Sequence, residues 1–443
     1  MFSRLSAGEI LLYSPRNGGC LVLKDAQVFL KAVAEVGDDV DAATLKVATT
    51  YECAPDMVRG DVCDFIDMLR REGFLQAEDG VGKATQVPLS ASKAFDFNGN
   101  EQGDSWTPLG DFYKRHNLPC ELHIDLTDGC NERCIHCYIP KGQARFIDEQ
   151  VFYKVVREFR DAQGMTLYVS GGECMLHPQF ITFLRFAREL NLNIIVMSNL
   201  TLCDERMVDA LREIDPQLVN VSLYSMDAAI HDSITGVSGS WQKTMNAILA
   251  LEKVGVPVRL AAPIMRANKD SLPGLLKFAS DHHLHLIPDC DIIGRIDHDC
   301  SNQQCGLAPG EMEEVVLANP KLFFKIPTTE AQCRCDASVC DIGEDKLNVN
   351  AVGEYYPCDG FHGMVLGTVA KDSILDVWRG EKLNSLRALK NEDFGECATC
   401  ANRRWCKVCP MRNFNETGDM FRHIPERCLA TAIRRKVFEG MKL

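Results

Sequence analysis

Cysteines that could bind a metal cluster dominate the chemistry available to this sequence. Cys130, Cys134 and Cys137 lie within eight residues in the order C-x3-C-x2-C, directly after a strand-like run. A loop this short can place three thiolates around one face of a [4Fe–4S] cluster, leaving one iron open to a chelating substrate. It cannot complete a tetrahedral zinc site without a distant fourth ligand. The spacing therefore favours a cluster with an open iron, with zinc or a chance spacing as the alternatives.

A second group of cysteines lies toward the C-terminal end. The sequence contains 21 cysteines, and eleven of them lie from Cys300 onward. Thiols at this density in a large intracellular chain usually bind metal ions or clusters and do not form disulfides. Two structural zinc sites are one alternative, because C-x2-C pairs are common zinc ligands. The regularly spaced cysteines are Cys340, Cys358, Cys397, Cys400, Cys406, Cys409 and Cys428.

Alternating strands and helices must position the first cysteine loop. Strands joined through helices predict a parallel sheet with right-handed crossovers, open or partly closed as a barrel. Active sites in such folds lie at the C-terminal ends of the strands, where the Cys130 loop begins. The predicted strands are 121–126, 165–170, 193–198, 219–224, 258–263 and 285–292. The predicted helices are 148–162, 179–190, 204–214, 240–254 and 270–283.

The first 75 residues predict a separate α+β module. Ile10–Tyr13 and Cys20–Leu23 flank a Pro-Arg-Asn-Gly-Gly turn and predict a hairpin. Helices are expected at about 26–36, at about 42–51 and from Pro55 to Gly73, where apolar residues recur at offsets of three and four. The predicted domains are residues 1–76, a linker at 77–115, a core at 116–298 and a cysteine-rich domain at 299–443.

Composition excludes several classes of protein. The chain has 443 residues, of which 46% are hydrophobic and 25% charged, as in ordinary globular proteins. A net charge of −14 argues against binding to a nucleic-acid backbone. No apolar run reaches the ~18–20 residues of a membrane span, and the start lacks the apolar region of a secretory signal. We therefore expect a cytoplasmic protein with no nucleic-acid or membrane partner.

The first cysteine loop resembles the motif of the radical S-adenosylmethionine (SAM) superfamily, C-x3-C-x-aromatic-C, with His136 in the aromatic position. The resemblance implies that the open iron binds the amino and carboxylate groups of SAM. Reductive cleavage of SAM then gives a 5′-deoxyadenosyl radical that abstracts hydrogen. No acid–base pair or other catalytic residue is evident from the sequence.

Ser170-Gly171-Gly172-Glu173 resembles the GGE motif of the same superfamily. Glycines let the backbone approach a ligand, and the Glu carboxylate can pair with the methionine amine. A plain βα turn is the alternative, and Cys174 stands where the family usually has proline. The candidate SAM-binding residues are Gly171, Gly172, Glu173, Ser198, Asn199, Ser222 and Tyr138, with structural capping an alternative for Ser222.

The C-terminal array resembles the SPASM domain of peptide-modifying radical SAM enzymes, although its last short spacing is x2 where the family has x3. The resemblance implies two auxiliary [4Fe–4S] clusters, and thus three clusters in the protein. The first would be bound by Cys340, Cys358 and Cys409, with either Cys333 or Cys335 as the fourth ligand. The second would be bound by Cys397, Cys400, Cys406 and Cys428.

The N-terminal module resembles PqqD-like recognition elements, which are winged-helix-like and bind the leader segment of ribosomally made peptides (RiPPs). An exposed hairpin edge would pair with the leader backbone while a helix supplies an apolar groove. A folding or dimerising module and a DNA-binding winged helix are alternatives, the latter disfavoured by charge. The resemblances together imply an α/β fold: a partial (β/α)6 TIM barrel with a winged-helix-like N-terminal module and a C-terminal SPASM domain.

These resemblances predict a radical SAM enzyme of RiPP maturation that crosslinks a precursor peptide, with a thioether favoured. The expected partners are a precursor peptide with its leader and an external electron donor of the flavodoxin or ferredoxin type. A carbon–carbon crosslink, epimerisation and sulfatase maturation are alternatives. A non-catalytic leader-binding scaffold is disfavoured by the intact GGE motif.

Overall fold

The chain divides into two compact units, each with its own hydrophobic core. The computed structural model describes residues 2–14, 19–72, 74–75, 106–323, 339–406 and 408–440. The N-terminal unit is Met1–Asn117 and the C-terminal unit is Leu118–Leu443.

The N-terminal unit combines a small antiparallel sheet with helices. Its strands, in the spatial order β1-β2-β3, are β1 (Phe2–Ser6), β2 (Glu9–Ser14) and β3 (Gly19–Lys24). Its helices are α1 (Gln27–Val36), α2 (Val40–Tyr51), α3 (Pro55–Arg71) and α4 (Trp106–His116). The predicted hairpin and first three helices are confirmed, whereas the sequence did not predict β1. The predicted turn at 15–18 and the helix stop at Gly73 lie outside the described residues.

The apolar stripe of α3 explains how this unit folds. Pro55 occupies the first turn, where a missing N–H costs nothing. Val62, Ile66 and Leu69 are each at most 1% exposed and join the core that includes Leu12 and Val47. Residues at offsets of three and four share one helix face, so the sequence alone locates this stripe.

The C-terminal part of the predicted linker is wrong. Residues 106–116 form α4, which packs on β3 and β2 of the N-terminal unit. Leu109, Phe112 and Tyr113 are buried, and His116 Nε2 lies 3.0 Å from the Glu9 carboxylate. Three apolar residues on one face hold a short helix only when a partner surface exists, so α4 depends on packing against β3 and β2. Residues 76–105 lie outside the described residues.

The C-terminal unit is built on a nine-stranded sheet. Its spatial order is β12-β11-β10-β4-β5-β6-β7-β8-β9, with β4 to β9 and the β10–β4 pair parallel. The predicted run of six parallel strands is confirmed. The strands are β4 (Glu121–Asp125), β5 (Thr166–Ser170), β6 (Asn193–Ser198), β7 (Leu218–Ser222), β8 (Val258–Pro263), β9 (His285–Asp289), β10 (Lys346–Val349), β11 (Glu354–Tyr356) and β12 (Gly367–Thr368).

Helices connect these strands and continue beyond them. The five predicted helices correspond to α5, α6, α7, α9 and α10, and α8 is an addition that the sequence did not predict. Among the described residues no helix is long and apolar enough to cross a membrane. The helices are α5 (Glu149–Asp161), α6 (Phe180–Glu189), α7 (Glu205–Ile214), α8 (Ala228–Thr235), α9 (Ser240–Lys253), α10 (Leu272–Asp281), α11 (Pro309–Ala318), α12 (Pro320–Phe323), α13 (Ile374–Trp378), α14 (Glu381–Arg387), α15 (Pro410–Thr417) and α16 (Pro425–Gly440).

Alternation along β4 separates a packed face from a polar one. Leu122 and Ile124 are fully buried in the core with the apolar face of α5. Glu121, His123 and Asp125 occupy the alternate positions, which point to the opposite face of the sheet. This strand therefore places three titratable side chains on the inner face, and the cysteine loop begins directly after it.

Candidate functional site

The Cys130–Cys137 loop is fastened to the end of α8. The backbone N–H of Arg133 donates to the carbonyl of Thr235 at 2.7 Å, and that of Ile135 to Ile234 at 3.0 Å. The last carbonyls of a helix have no partner within the helix, so the loop amides satisfy them. The helix that the sequence did not predict thus fixes the position of the predicted cluster loop.

The structure brings Cys130, Cys134 and Cys137 close together. Burial raises the pKa of the Cys134 thiol, and the negative charges of Glu132, Cys137 and Cys130 raise it further. The backbone N–H of Glu132 lies 3.4 Å from the Cys130 sulfur, and the Tyr224 hydroxyl lies 3.8 Å from the Cys134 sulfur. The Cys134 thiol also lies 3.4 Å from the Glu132 carboxylate and can donate to it. Grouped thiols of this kind are the ligands that an iron–sulfur cluster takes.

An apolar wall lies behind this loop. Tyr224, Ile234, Met265 and Ile292 are buried together, and Cys134 packs against them. Excluding water lowers the local dielectric constant and strengthens electrostatic interactions with a bound group.

The glycines of the GGE motif permit a close approach between two loops. A Cβ on Gly171 would lie 2.2 Å from the Thr127 carbonyl oxygen, and one on Gly172 would lie 2.2 Å from that of Gly129. Gly171 also has a φ of +133°, which L side chains rarely adopt. The backbone that these glycines approach is that of the cluster loop itself, whereas the motif predicted a ligand there.

The structure brings together three of the candidate SAM-binding residues, Glu173, Ser198 and Asn199. The Glu173 carboxylate is 1% exposed and accepts hydrogen bonds from the Ser198 hydroxyl at 2.7 Å and the Asn199 N–H at 2.8 Å. Burial raises the pKa of Glu173. The carboxylate therefore joins the loop after β5 to the end of β6.

Cys174 has a structural explanation. Its side chain is fully buried, and the thiol lies 3.4 Å from the Met197 carbonyl on β6. A proline at this position would offer no such donor. The thiol thus adds a contact between the GGE loop and β6.

The two remaining predicted SAM contacts lie in different surroundings. Ser222 ends β7 and is half-buried beside the Tyr224 phenol. Tyr138 packs beside Gly360, in the segment that follows Cys358. Burial raises the pKa of Tyr138, and the charges of nearby carboxylates raise it further. Tyr138 therefore connects the cluster loop to the segment after Cys358.

The C-terminal cysteines form two spatial groups. Besides burial, the charges of Cys409 and Cys340 raise the pKa of Cys358, so these thiols lie near one another. The pKa of Cys397 is raised by burial and by Cys406, Cys428 and Cys400 in the same way. Within the described ranges, no set of three or more His, Cys, Asp or Glu side chains is arranged to hold a metal ion. Cys333 and Cys335 lie outside the described residues.

An ionic network that the sequence analysis missed lies beside Cys358. His123 Nδ1 is 2.9 Å from the Asp359 carboxylate, and Lys346 Nζ is 3.5 Å from it. Burial lowers the pKa of His123, but Asp359 outweighs it and raises the value to about 9. Partial desolvation opposes ionisation of Asp359, yet its two cationic partners lower its pKa. The polar alternation of β4 was the only signal in the sequence.

A cavity of about 310 Å³ opens at the C-terminal end of β4. Asp125, the last residue of that strand, accepts hydrogen bonds from the Ser170 hydroxyl at 2.8 Å and the Tyr356 hydroxyl at 2.7 Å. His362 Nε2 lies 3.7 Å from the same carboxylate. The residues around the cavity include Asp125, Asp128, Lys141, Arg145, Asn350 and His362.

Comparison with protein families agrees with this arrangement. Residues 124–279 match the radical SAM superfamily, and residues 340–402 match SPASM, an iron–sulfur cluster-binding domain. The chain has the radical SAM fold. The predicted fold class, an α/β radical SAM core followed by a SPASM domain, is therefore confirmed. The two domains imply SAM and [4Fe–4S] clusters, and the grouped thiols of the radical SAM core and the SPASM domain fit such clusters chemically.

Curated proteins with sequences similar to this chain have several activities. The AdoMet-dependent heme synthase of Methanosarcina barkeri is 23% identical over 350 residues, which cover 70% of this chain and 96% of that protein. The antilisterial bacteriocin subtilosin biosynthesis protein AlbA of Bacillus subtilis is 26% identical over 330 residues, covering 69% of this chain and 73% of that protein.

Solved structures with the same fold include two peptide complexes. Native anSMEcpe with bound AdoMet and the Cp18Cys peptide has a TM-score of 0.59 and 17% identity, covering 73% of this chain and 98% of that one. Streptococcus suis SuiB bound to the precursor peptide SuiA has a TM-score of 0.55 and 15% identity, covering 94% of this chain and 95% of that one. At such identities the likeness concerns the fold.

Proposed function

We propose that this protein is a radical SAM maturase of a ribosomally synthesised precursor peptide. The observation that carries the proposal is the extent of the likeness to SuiB, whose structure holds a precursor peptide. The C-terminal unit is only about three-quarters of the chain, so a match over 94% reaches well into the N-terminal unit. The match to anSMEcpe covers 73% of this chain, a share that the C-terminal unit could supply without the N-terminal unit.

Named activities among the relatives support a peptide substrate. Besides AlbA, they include the PqqA peptide cyclase of Granulibacter bethesdensis and the mycofactocin maturase MftC of Mycobacterium tuberculosis. Heme synthases are among them as well. The assignment of a peptide substrate therefore rests on the N-terminal unit as well as on the core.

The N-terminal unit supplies features suited to holding a leader segment. β3 is an edge strand of the described sheet, and Leu21 and Leu23 on it are half-buried. An extended peptide can add to such an edge through backbone hydrogen bonds while apolar side chains fill an adjacent groove. We assign leader binding to this edge, as in PqqD-like recognition elements.

The chain's own residues prepare the reaction site. Cys130, Cys134 and Cys137 would hold a [4Fe–4S] cluster, which when bound supplies the electron that cleaves SAM. Glu173 fixes the GGE loop against the end of β6, and the wall around Tyr224 excludes water. These contacts keep a reactive radical away from solvent.

The SPASM domain would hold two further clusters, three in all. Cys340, Cys358 and Cys409 would bind the first of these clusters together with Cys333 or Cys335. The second would be bound by Cys397, Cys400, Cys406 and Cys428. We propose a thioether as the product, with a carbon–carbon crosslink as the alternative. Either bond removes two hydrogens from the peptide, and electrons would enter from a flavodoxin- or ferredoxin-type donor.

Mass spectrometry tests the proposal. The enzyme is reconstituted anaerobically with iron and sulfide and given SAM, a reductant and a short precursor peptide that contains cysteine. We expect the peptide to lose two hydrogens and, for a thioether, to resist thiol alkylation. Loss of two hydrogens from a peptide whose thiol can still be alkylated indicates a carbon–carbon link. Uptake of deuterium from solvent with no loss of hydrogens indicates epimerisation. Modification of a sulfatase-derived peptide alone would overturn the proposal.

Cys134→Ala provides the matched variant. It should abolish 5′-deoxyadenosine formation, because one of three ligands of the cluster is lost. Cys203→Ala, at a half-buried thiol outside the three cysteine groups, should retain it. Equal SAM cleavage by both variants would contradict the assignment of the loop.

A further inference from the structure

The cavity at the end of β4 contains a pair of titratable side chains. His362 and Asp125 are 18% and 13% exposed, so both are largely removed from water while still reaching the cavity. Asp125 is five residues before Cys130, which places the pair at the edge of the sheet where the cluster loop begins. The proposed reaction needs a proton acceptor there.

The two hydrogens leave the peptide in different forms. The first leaves a carbon as a hydrogen atom and ends in 5′-deoxyadenosine. When the resulting carbon radical bonds to the partner group, that group loses its hydrogen as a proton, and one electron passes to an iron–sulfur cluster of the enzyme. The electrons and atoms then balance, but the proton still needs a base.

We infer that His362 accepts this proton and that Asp125 positions His362 and stabilises its charged form. The inference rests on the proposed function and concerns which residue completes it. Tyr356 and Ser170 donate to both oxygens of Asp125, which fixes the carboxylate beside the imidazole. The Tyr356 and His362 rings also pack at a centroid distance of 4.3 Å. The imidazole thus has a fixed place between an aromatic ring and an anion.

The charge environment suits a base at neutral pH. Burial lowers the pKa of His362, which favours the neutral ring that can accept a proton. Asp125, Asp359 and Glu354 counter this effect, and Arg145 adds to it. Asp359, the other carboxylate near Cys358, is paired with His123 and Lys346, which makes it a weak base.

His362→Gln separates proton acceptance from radical formation. With a peptide that the wild type modifies, we expect 5′-deoxyadenosine to form at the normal rate and the crosslinked peptide to fall about 100-fold. His282→Gln, at the far end of α10, is the control and should leave both rates unchanged.

The pH profile adds a readout that a structural role would not move. Crosslinking by the wild type should rise with pH through the lowered pKa of His362, while 5′-deoxyadenosine formation stays flat. Asp125→Asn should move this rise to lower pH, and His362→Gln should remove it. An unchanged profile in His362→Gln, or its loss only in Asp359→Asn, would overturn the inference and leave the proposed function intact.

A measurement without peptide or SAM tests the pairing alone. Diethyl pyrocarbonate modifies neutral imidazole, so the pH dependence of His362 modification in the holoenzyme reports its pKa by peptide mapping. Asp125→Asn should lower that pKa, because a stabilising negative charge is lost. An unchanged value would mean that the two residues do not form a pair.

Discussion

At the residue scale, the GGE loop can pack closely on the cluster loop because two glycines have no side chain. Gly171 and Gly172 let the GGE loop pack on the backbone of the cluster loop, and the Gly172 N–H donates to the Thr127 carbonyl at 2.7 Å. A side chain at either position would overlap a backbone carbonyl, which cannot rotate away as a flexible side chain could. The motif therefore positions the cluster loop as well as any ligand.

Gly172→Ala should displace the cluster loop. The added Cβ would overlap the Gly129 carbonyl, and overpacking of this kind costs about 1–3 kcal/mol. We expect SAM cleavage to fall about tenfold or more, together with loss of the electron paramagnetic resonance signal of the SAM-bound cluster. Gly310→Ala, where no atom lies within 4 Å of the new Cβ, is the control. Normal SAM cleavage by Gly172→Ala would refute the positioning role.

At the element scale, the C-terminal region completes the sheet of the core. β10 pairs in parallel with β4, with Asn348 opposite His123. This pairing brings Lys346 and the segment after β11 to the polar face of β4, where Asp359 meets His123. The ionic network therefore ties the SPASM region to the first strand of the core.

This network predicts a pH-dependent stability. The pKa of His123 is raised from 6.5 to about 9. Its contribution to the free energy of unfolding is therefore complete below about pH 6.5 and is lost as pH rises through about 9. After allowance for the half-exposed Asp359, the contribution is about 1–2 kcal/mol. The Tm of His123→Gln should fall less than that of the wild type between pH 7 and pH 10. His282→Gln should follow the wild type, and identical slopes for all three proteins would contradict the assignment.

At the scale of the whole molecule, the chain contains two units that serve different proposed steps. α4 belongs to the N-terminal unit, so the division falls at Asn117 and not at the end of α3. Each unit has a separate core, which means that the C-terminal unit can retain its cluster sites without the other.

A chain beginning at Leu118 tests this division of labour. It should bind iron and cleave SAM without a peptide, because all the grouped cysteines are retained. Peptide modification should fall at least tenfold, since losing about 1.4 kcal/mol of leader binding already has that effect. The rates are compared by mass spectrometry with those of the full chain acting on a leaderless peptide. Full modification by the shortened chain would refute leader docking.

The sequence by itself determined the elements and motifs that repeat locally. Spacings such as C-x3-C-x2-C, and the apolar periodicity of α3 and the core strands, depend on residues only a few positions apart. They were sufficient to predict the run of parallel strands joined by helices, and the resemblance to known motifs supplied the rest of the fold class.

Only the tertiary structure decided which distant residues meet. Asp125 and His362 are 237 positions apart in the sequence, and they are brought together because β10 and β11 extend the sheet beside β4. The contacts of α4 and α8 are likewise with surfaces formed elsewhere in the chain. Such side chains carry no local period, because their partners are fixed by strand pairing and packing and not by spacing along the chain.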